Sequence, residues 1–116
     1  MTQHDVRAFL LDIEQACSSI IEFTSGKTLT AYLADAMLRS AVERKFEIIG
    51  EALNRALALD PTLAARVTDT RSIIAFRNVL AHGYATVADE TVWGVVQGKL
   101  PTLRREIMTL LSRTGT

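Results

Sequence analysis

An all-α bundle of four or five antiparallel helices is the fold this sequence predicts, and three observations carry that prediction. Apolar residues recur three and four apart through most of the chain, the spacing that lines one face of a helix. Glycine, proline and cap-forming residues fall between those stretches. No stretch alternates apolar and polar residues as a half-buried strand requires. The 116 residues make one domain, 1–116. Apolar residues supply 48% of it, enough to bury a core and too many for a disordered segment.

The first helix is predicted from about Gln3 to about Phe23, with Val6, Phe9, Leu10, Ile13, Ala16, Cys17, Ile20 and Ile21 on its stripe. Thr24-Ser25-Gly26 interrupts it, because Gly26 can take the left-handed conformation that ends helices. After a short stretch from Thr28 to Leu33, a long second helix is expected from about Asp35 to about Leu59. Leu38, Val42, Phe46, Ile49 and Leu53 keep one of its faces apolar, Gly50 is its one glycine, and Asp60-Pro61 stops it. A third helix, roughly Arg71 to Ala81, carries Ile73, Ile74, Phe76, Val79 and Leu80 around its circumference. That pattern places it in the middle of the molecule, with Gly83 as its stop. Thr86 as cap, with Asp89 and Glu90 in the first turn, opens the last helix. Its stripe is Val92, Val96, Leu100, Leu103, Ile107 and Leu110. Pro101 inside it removes a backbone donor, so a kink is expected near Gln97 or Gly98.

Charge and motif content narrow the function. Thirteen Lys and Arg balance thirteen Asp and Glu, so there is no global pull toward nucleic acid or anionic lipid. No apolar run approaches the roughly 20 residues needed to span a bilayer, and MTQHDVRAF does not read as a signal peptide, so the chain is expected in the cytoplasm, off the membrane. Cys17, the only cysteine, excludes an internal disulfide and a thiolate-rich zinc site, and its place on the first stripe makes it a core residue. Phosphate loops of the GxxxxGK type, GxSxG, HExxH and CxxC are all missing, and no cofactor or metal site is predicted.

The residues that stand out lie in Arg77-Asn78-Val79-Leu80-Ala81-His82-Gly83-Tyr84, where polar types interrupt the most apolar helix. On a buried helix each would need a partner. Asn78 and His82, four apart, share a face; Arg77 and His82, five apart, are separated by about 140° around a 3.6-residue helix. A site using both is therefore wide and open, which suits a phosphodiester. His82 near a helix C-terminus meets the negative end of the dipole, which favours the imidazolium and fits a general acid/base. A structural account is equally open at this point. The second helix presents Arg39, Glu43, Glu47 and Glu51 in four-residue steps with Arg44 alongside, and Gly50 lets a neighbouring helix come close. Arg77 could pair there with Glu47 or Glu51, and His82 could be a C-cap. His4 reads as a solvated terminal side chain and Trp93 as an interhelix anchor.

The same stretch resembles the R-x-x-x-x-H-x-Y signature of HepT-like toxins, all-α ribonucleases of the HEPN superfamily. Ile21-Glu22-Phe23-Thr24, Ala41-Val42-Glu43-Arg44, Glu47-Ile48-Ile49-Gly50-Glu51-Ala52, Val92-Trp93 and Leu100-Pro101-Thr102-Leu103 follow in matching order, so the resemblance covers nearly the whole chain. It implies a metal-independent endoribonuclease, the toxin of a toxin-antitoxin module, with Arg77 and His82 as catalytic pair and Asn78 in support. It implies a homodimer in which the motif helices of two chains line one RNA cleft. It also implies a nucleotidyltransferase antitoxin that attaches AMP to Tyr84. Two other expectations stand beside this one: a non-catalytic helical partner or regulatory subunit of a nucleotidyltransferase, and a bundle in which Arg77 is purely structural.

Overall fold

The computed structural model describes residues 3–82 and 88–114, and the side chains of 5–81 and 88–113. The expectations for Gly83, Tyr84 and Thr86, and for the side chains of His4 and His82, lie outside those residues. Five helices follow in order: α1 (Gln3–Thr24), α2 (Leu29–Ala34), α3 (Ala36–Leu59), α4 (Thr70–His82) and α5 (Asp89–Thr114), with a 3₁₀ turn at Pro61–Ala65. The described residues contain no strand.

The junctions follow from local chemistry. Gly26 ends α1 with φ of +73°, and the Lys27 N–H reaches back to the Thr24 carbonyl at 3.0 Å. Thr28 caps α2 by accepting from the Ala31 N–H at 3.1 Å, so the short stretch is a helix of its own. Asp35 ends α2 and caps α3, accepting from the Leu38 N–H at 3.0 Å. Asp60 repeats the device, closing α3 and accepting from the Thr62 N–H at 3.1 Å. α5 runs unbroken through Pro101, which has no N–H to offer the Gln97 carbonyl.

Three helices build most of the core, to which Tyr32 of α2, Leu63 and Val67 add. Every residue of the α3 and α5 stripes is buried, as are Val6, Leu10, Ile13, Ala16, Cys17 and Ile20 of α1. Cross-links fix their directions. Arg7 at the start of α1 donates to the Leu111 carbonyl at 2.8 Å, while Arg104 meets Glu14 and Ser18 at 3.3 Å, so α1 and α5 run antiparallel. The Arg55 guanidinium, near the end of α3, lies 6.0 Å from the ring of Phe9 in α1, which makes that pair antiparallel too. Trp93 packs on Tyr32 with ring centroids 5.1 Å apart, tying α5 to α2 as an interhelix anchor. Cys17 is wholly buried, and burial, with the charge of Glu14, pushes its thiol up to about 12, which leaves it inert.

The placement of α4 departs from expectation. Its described side chains are all exposed or only partly buried, and it packs mainly on α3. Ile73, Ile74, Phe76 and Leu80 lean on the core edge without being enclosed by it. Apolar residues around the whole circumference reflect partial cover on several sides, so periodicity alone overestimated its burial. The N-terminal end of α4 is held firmly. Glu106 of α5 accepts from both the Thr68 N–H at 3.0 Å and the Thr68 hydroxyl at 2.7 Å, and Asp69 turns the chain with φ of +59° before its carbonyl accepts from the Ile73 N–H.

Leu53, fully buried on α3, should lose about 2–5 kcal/mol of stability as Leu53→Ala. Met37, 85% exposed, should change by no more than about 0.5 kcal/mol as Met37→Ala. Urea titrations of both variants check the contrast.

Candidate active site

The site begins with Gly50. It is buried on α3 where α4 crosses, and a Cβ built there would overlap the Cβ and Cγ of Arg77 and touch the Ile73 carbonyl at 3.5 Å. Only a residue without a side chain admits α4 at this depth. The close approach delivers the Arg77 stem onto α3 one residue short of Glu51. Arg77 Nη2 then donates to Glu51 Oε2 at 2.8 Å, and Nη1 donates to Asn78 Oδ1 at 2.7 Å. Phe46 and Phe76 pack edge to face beside this crossing, with centroids 5.3 Å apart.

Glu51 holds a second arginine. Its Oε1 accepts from Arg55 Nε at 2.9 Å, so one carboxylate bridges two guanidinium groups. The hydrogen bond from Arg55, reinforced by the charges of Arg77 and Arg55, keeps the Glu51 carboxyl below its ordinary range despite partial desolvation. These groups face an open groove lined by Phe9 and Asp12 of α1, Arg44, Glu47, Glu51 and Arg55 of α3, and Arg77 of α4. Arg44 pairs with Glu47 at 3.4 Å. Three arginines and three acids thus share one groove, and its local charge is balanced like that of the chain.

A second polar cluster lies near the start of α5. Arg39 pairs with Asp89 at 3.5 Å and also donates to the Leu33 carbonyl. The Tyr32 hydroxyl is buried beside them with no hydrogen-bond partner among the described residues. Burial, then the nearby charges of Glu43 and Asp89, pushes it up to about 12. The Glu43 carboxyl is raised as well, by desolvation and by Asp89 and Glu47.

The structure brings Arg77 and Asn78 into direct contact and puts His82 at the last position of the same helix. The premise that these polar residues sit on a buried helix is corrected. The Arg77 side chain is 30% exposed and Asn78 is exposed, so neither needs burial to explain its bond. The ion pair expected between Arg77 and either Glu47 or Glu51 forms with Glu51. The bridge to Arg55 was missed, although Glu51 and Arg55 stand four apart on one helix face, the spacing that favours such a pair. The grip of Asn78 on Arg77 had no sequence signal, since adjacent residues diverge by about 100° on a helix and only the reach of the arginine brings them together.

Residues 13–110 match the family model described as Ribonuclease HepT-like. A relative from Methanocaldococcus jannaschii, "Putative RNase MJ1380", is 32% identical over 107 residues, covering 92% of this chain and 97% of its own. A second from the same organism, "Putative RNase MJ0127", is 35% identical over 107 residues, covering 92% and 88%. "Probable ribonuclease HepT" of Thermococcus cleftensis is 31% identical over 96 residues, covering 83% and 86%. No solved structure matches the chain.

Two measurements test the geometry. Gly→Ala inside a helix ordinarily gains up to about 1 kcal/mol. At Gly50 the sign should reverse, because the added methyl meets the stem of Arg77, and Gly50→Ala should lower the urea midpoint. Glu51 has a depressed folded pKa, so its contribution is present above its unfolded value and is lost as pH falls through the folded one. The stability gap between wild type and Glu51→Gln should therefore shrink as pH falls below about 4. A gap that widens on acidification would contradict the bridge.

Proposed function

We propose that this chain, which belongs to the HepT-like ribonuclease family, is a metal-independent endoribonuclease that uses Arg77 and His82 as its catalytic pair. The observation that carries the reading is the Arg77 guanidinium, fixed between Glu51 and Asn78 on the wall of an open groove, on a helix that ends at His82. In this reaction the RNA 2′-oxygen attacks the adjacent phosphorus, its proton is taken up, and the 5′-oxygen leaves with a proton supplied. His82 moves the proton, helped in its charged form by the helix C-terminus. Arg77 holds the non-bridging oxygens as charge builds on them, with the Asn78 amide N–H groups as further donors. The products are a 2′,3′-cyclic phosphate and a 5′-hydroxyl, and the scheme calls on no metal.

Arg77 and His82 stand five residues apart on one helix, about 140° around it and about 7.5 Å along it. A homodimer with the two α4 helices facing one cleft resolves this, one chain supplying the arginine and the other the histidine. The incompletely covered apolar residues of α4 support that arrangement. The same reading makes the chain the toxin of a toxin-antitoxin module. Its nucleotidyltransferase antitoxin would join AMP to Tyr84, the phenol oxygen displacing pyrophosphate from ATP. A bulky anion two residues beyond His82 would shut out an RNA phosphate by size and by charge.

The Arg77–Glu51 pair favours one other reading, in which Arg77 only braces α4 on α3. Magnitude argues against it. The two side chains are 30% and 40% exposed, and pairs of that kind are worth about 0–1 kcal/mol. The bridge is too weak to be what the fold relies on, and it suits orientation of a group left open to solvent.

Arg77→Ala and His82→Ala should each cut cleavage of an oligoribonucleotide by about 10²-fold or more while leaving circular dichroism and dimer elution unchanged. Cleavage at the wild-type rate by both would remove the catalytic assignment. With the groove's charges balanced, RNA affinity should fall only gently with salt, as expected for a few phosphate contacts. Co-expression with the neighbouring gene should add the mass of one AMP moiety to the chain, and Tyr84→Phe should abolish that increment.

A further inference from the structure

Glu51 does more than neutralise charge. Each of its oxygens is committed to a different arginine, Oε1 to Arg55 Nε at 2.9 Å and Oε2 to Arg77 Nη2 at 2.8 Å. Arg77 is in turn gripped at both Nη atoms, by Glu51 from α3 and by its own neighbour Asn78. Two acceptors on two nitrogens fix the plane of a guanidinium that otherwise swings on a long, flexible stem. The stem is also pinned at its base, where the Gly50 backbone leaves room for the Arg77 Cβ and Cγ and for nothing else. Of the five N–H donors of Arg77, three keep no acceptor among the described residues, so they remain for an anion in the groove. Glu51 sets one negative charge against two guanidinium groups, so this trio alone carries a net positive charge within a groove that is balanced overall.

We propose that Glu51 is a positioning residue for the ribonuclease reaction: with Asn78 it orients the Arg77 guanidinium toward the scissile phosphate, and Arg55 keeps Glu51 itself in place. This rests on the reading of Arg77 as a catalytic group. It assigns Glu51 an effect on the transition state and little on substrate capture. Removing the carboxylate leaves the Arg77 charge in the groove, where RNA still finds it, but frees the guanidinium to take orientations that miss the developing charge.

Steady-state cleavage of a short oligoribonucleotide by Glu51→Ala, Glu51→Asp and Arg77→Ala tests this, together with ¹⁵N–¹H spectra of the arginine side chains, Arg77 being identified by its loss in Arg77→Lys. Glu51→Ala should lower kcat by about 10²-fold with KM within about threefold of wild type, and Glu51→Asp should recover part of the loss. The separate Nη signals of Arg77 in the wild type should merge in Glu51→Ala as the guanidinium begins to rotate. Unchanged kcat with the signals still resolved would overturn the proposal. A fall in kcat that only tracks a loss of folded protein in the thermal melt, with unaltered Arg77 signals, would overturn it as well. If wild type, Glu51→Ala and Arg77→Ala are all inert toward RNA, the ribonuclease reading fails, and the Nη signals still decide whether Glu51 holds Arg77.

Discussion

The contact between the Gly50 backbone and the stem of Arg77 is the constraint on which the site depends. Two helices normally meet with their side chains interleaved, axes 8–10 Å apart. Here α3 gives up a side chain at the crossing and α4 supplies the stem of a charged residue to fill the space. The pairing with Glu51 follows, because a stem seated at position 50 carries its guanidinium past position 51. The grip of Asn78 and the opening onto the groove depend on the same seat. A glycine buried in a helix is a local cost in backbone entropy, and what it secures is the position of one guanidinium group.

The bundle was legible where one face alone is buried. In α1, α3 and α5 the apolar period and the burial agree almost residue by residue, since each helix offers a single stripe to a shared core. Gly26, Asp60 and Pro61 marked their boundaries through backbone chemistry that neighbours in space do not alter. α4 was misplaced because a circumference of apolar residues describes both a central helix and a peripheral one covered on several sides in part. At the site, Arg77, Asn78 and His82 stood out by residue type, and Gly50 and Glu51 could be matched to Arg77 by the need for close approach and opposite charge. The choice of Glu51 over Glu47 required the crossing point of two helices, which no single-helix periodicity contains.

Charge behaves alike at two scales. The chain as a whole is neutral, and so is the groove, with Arg44, Arg55 and Arg77 answered by Asp12, Glu47 and Glu51. A surface of this kind does not attract polyanions from a distance, because the fields of its alternating charges cancel within a Debye length. On the proposed reading, discrimination falls to contact range, where an RNA phosphate would have to fit between fixed donors and carboxylates that repel it when misplaced. This arrangement trades speed of encounter for selectivity in what is accepted.

The clamp at the start of α4 has a mechanical meaning. Glu106 grips Thr68 through both backbone and side chain, and the left-handed turn at Asp69 sets the angle at which the helix departs. From there α4 extends for 13 residues, about 20 Å, resting on α3 near Gly50. It is held twice, at its root and again where Arg77 seats on Gly50, and only the five residues beyond that second hold lead on to His82. A tilt of about 5° about that second hold moves the end of the helix by only about 0.7 Å over its last 7.5 Å or so. The carboxylate of Glu106, in another helix, thus fixes the root from which α4 departs, and the seat at Gly50 fixes the course it takes from there.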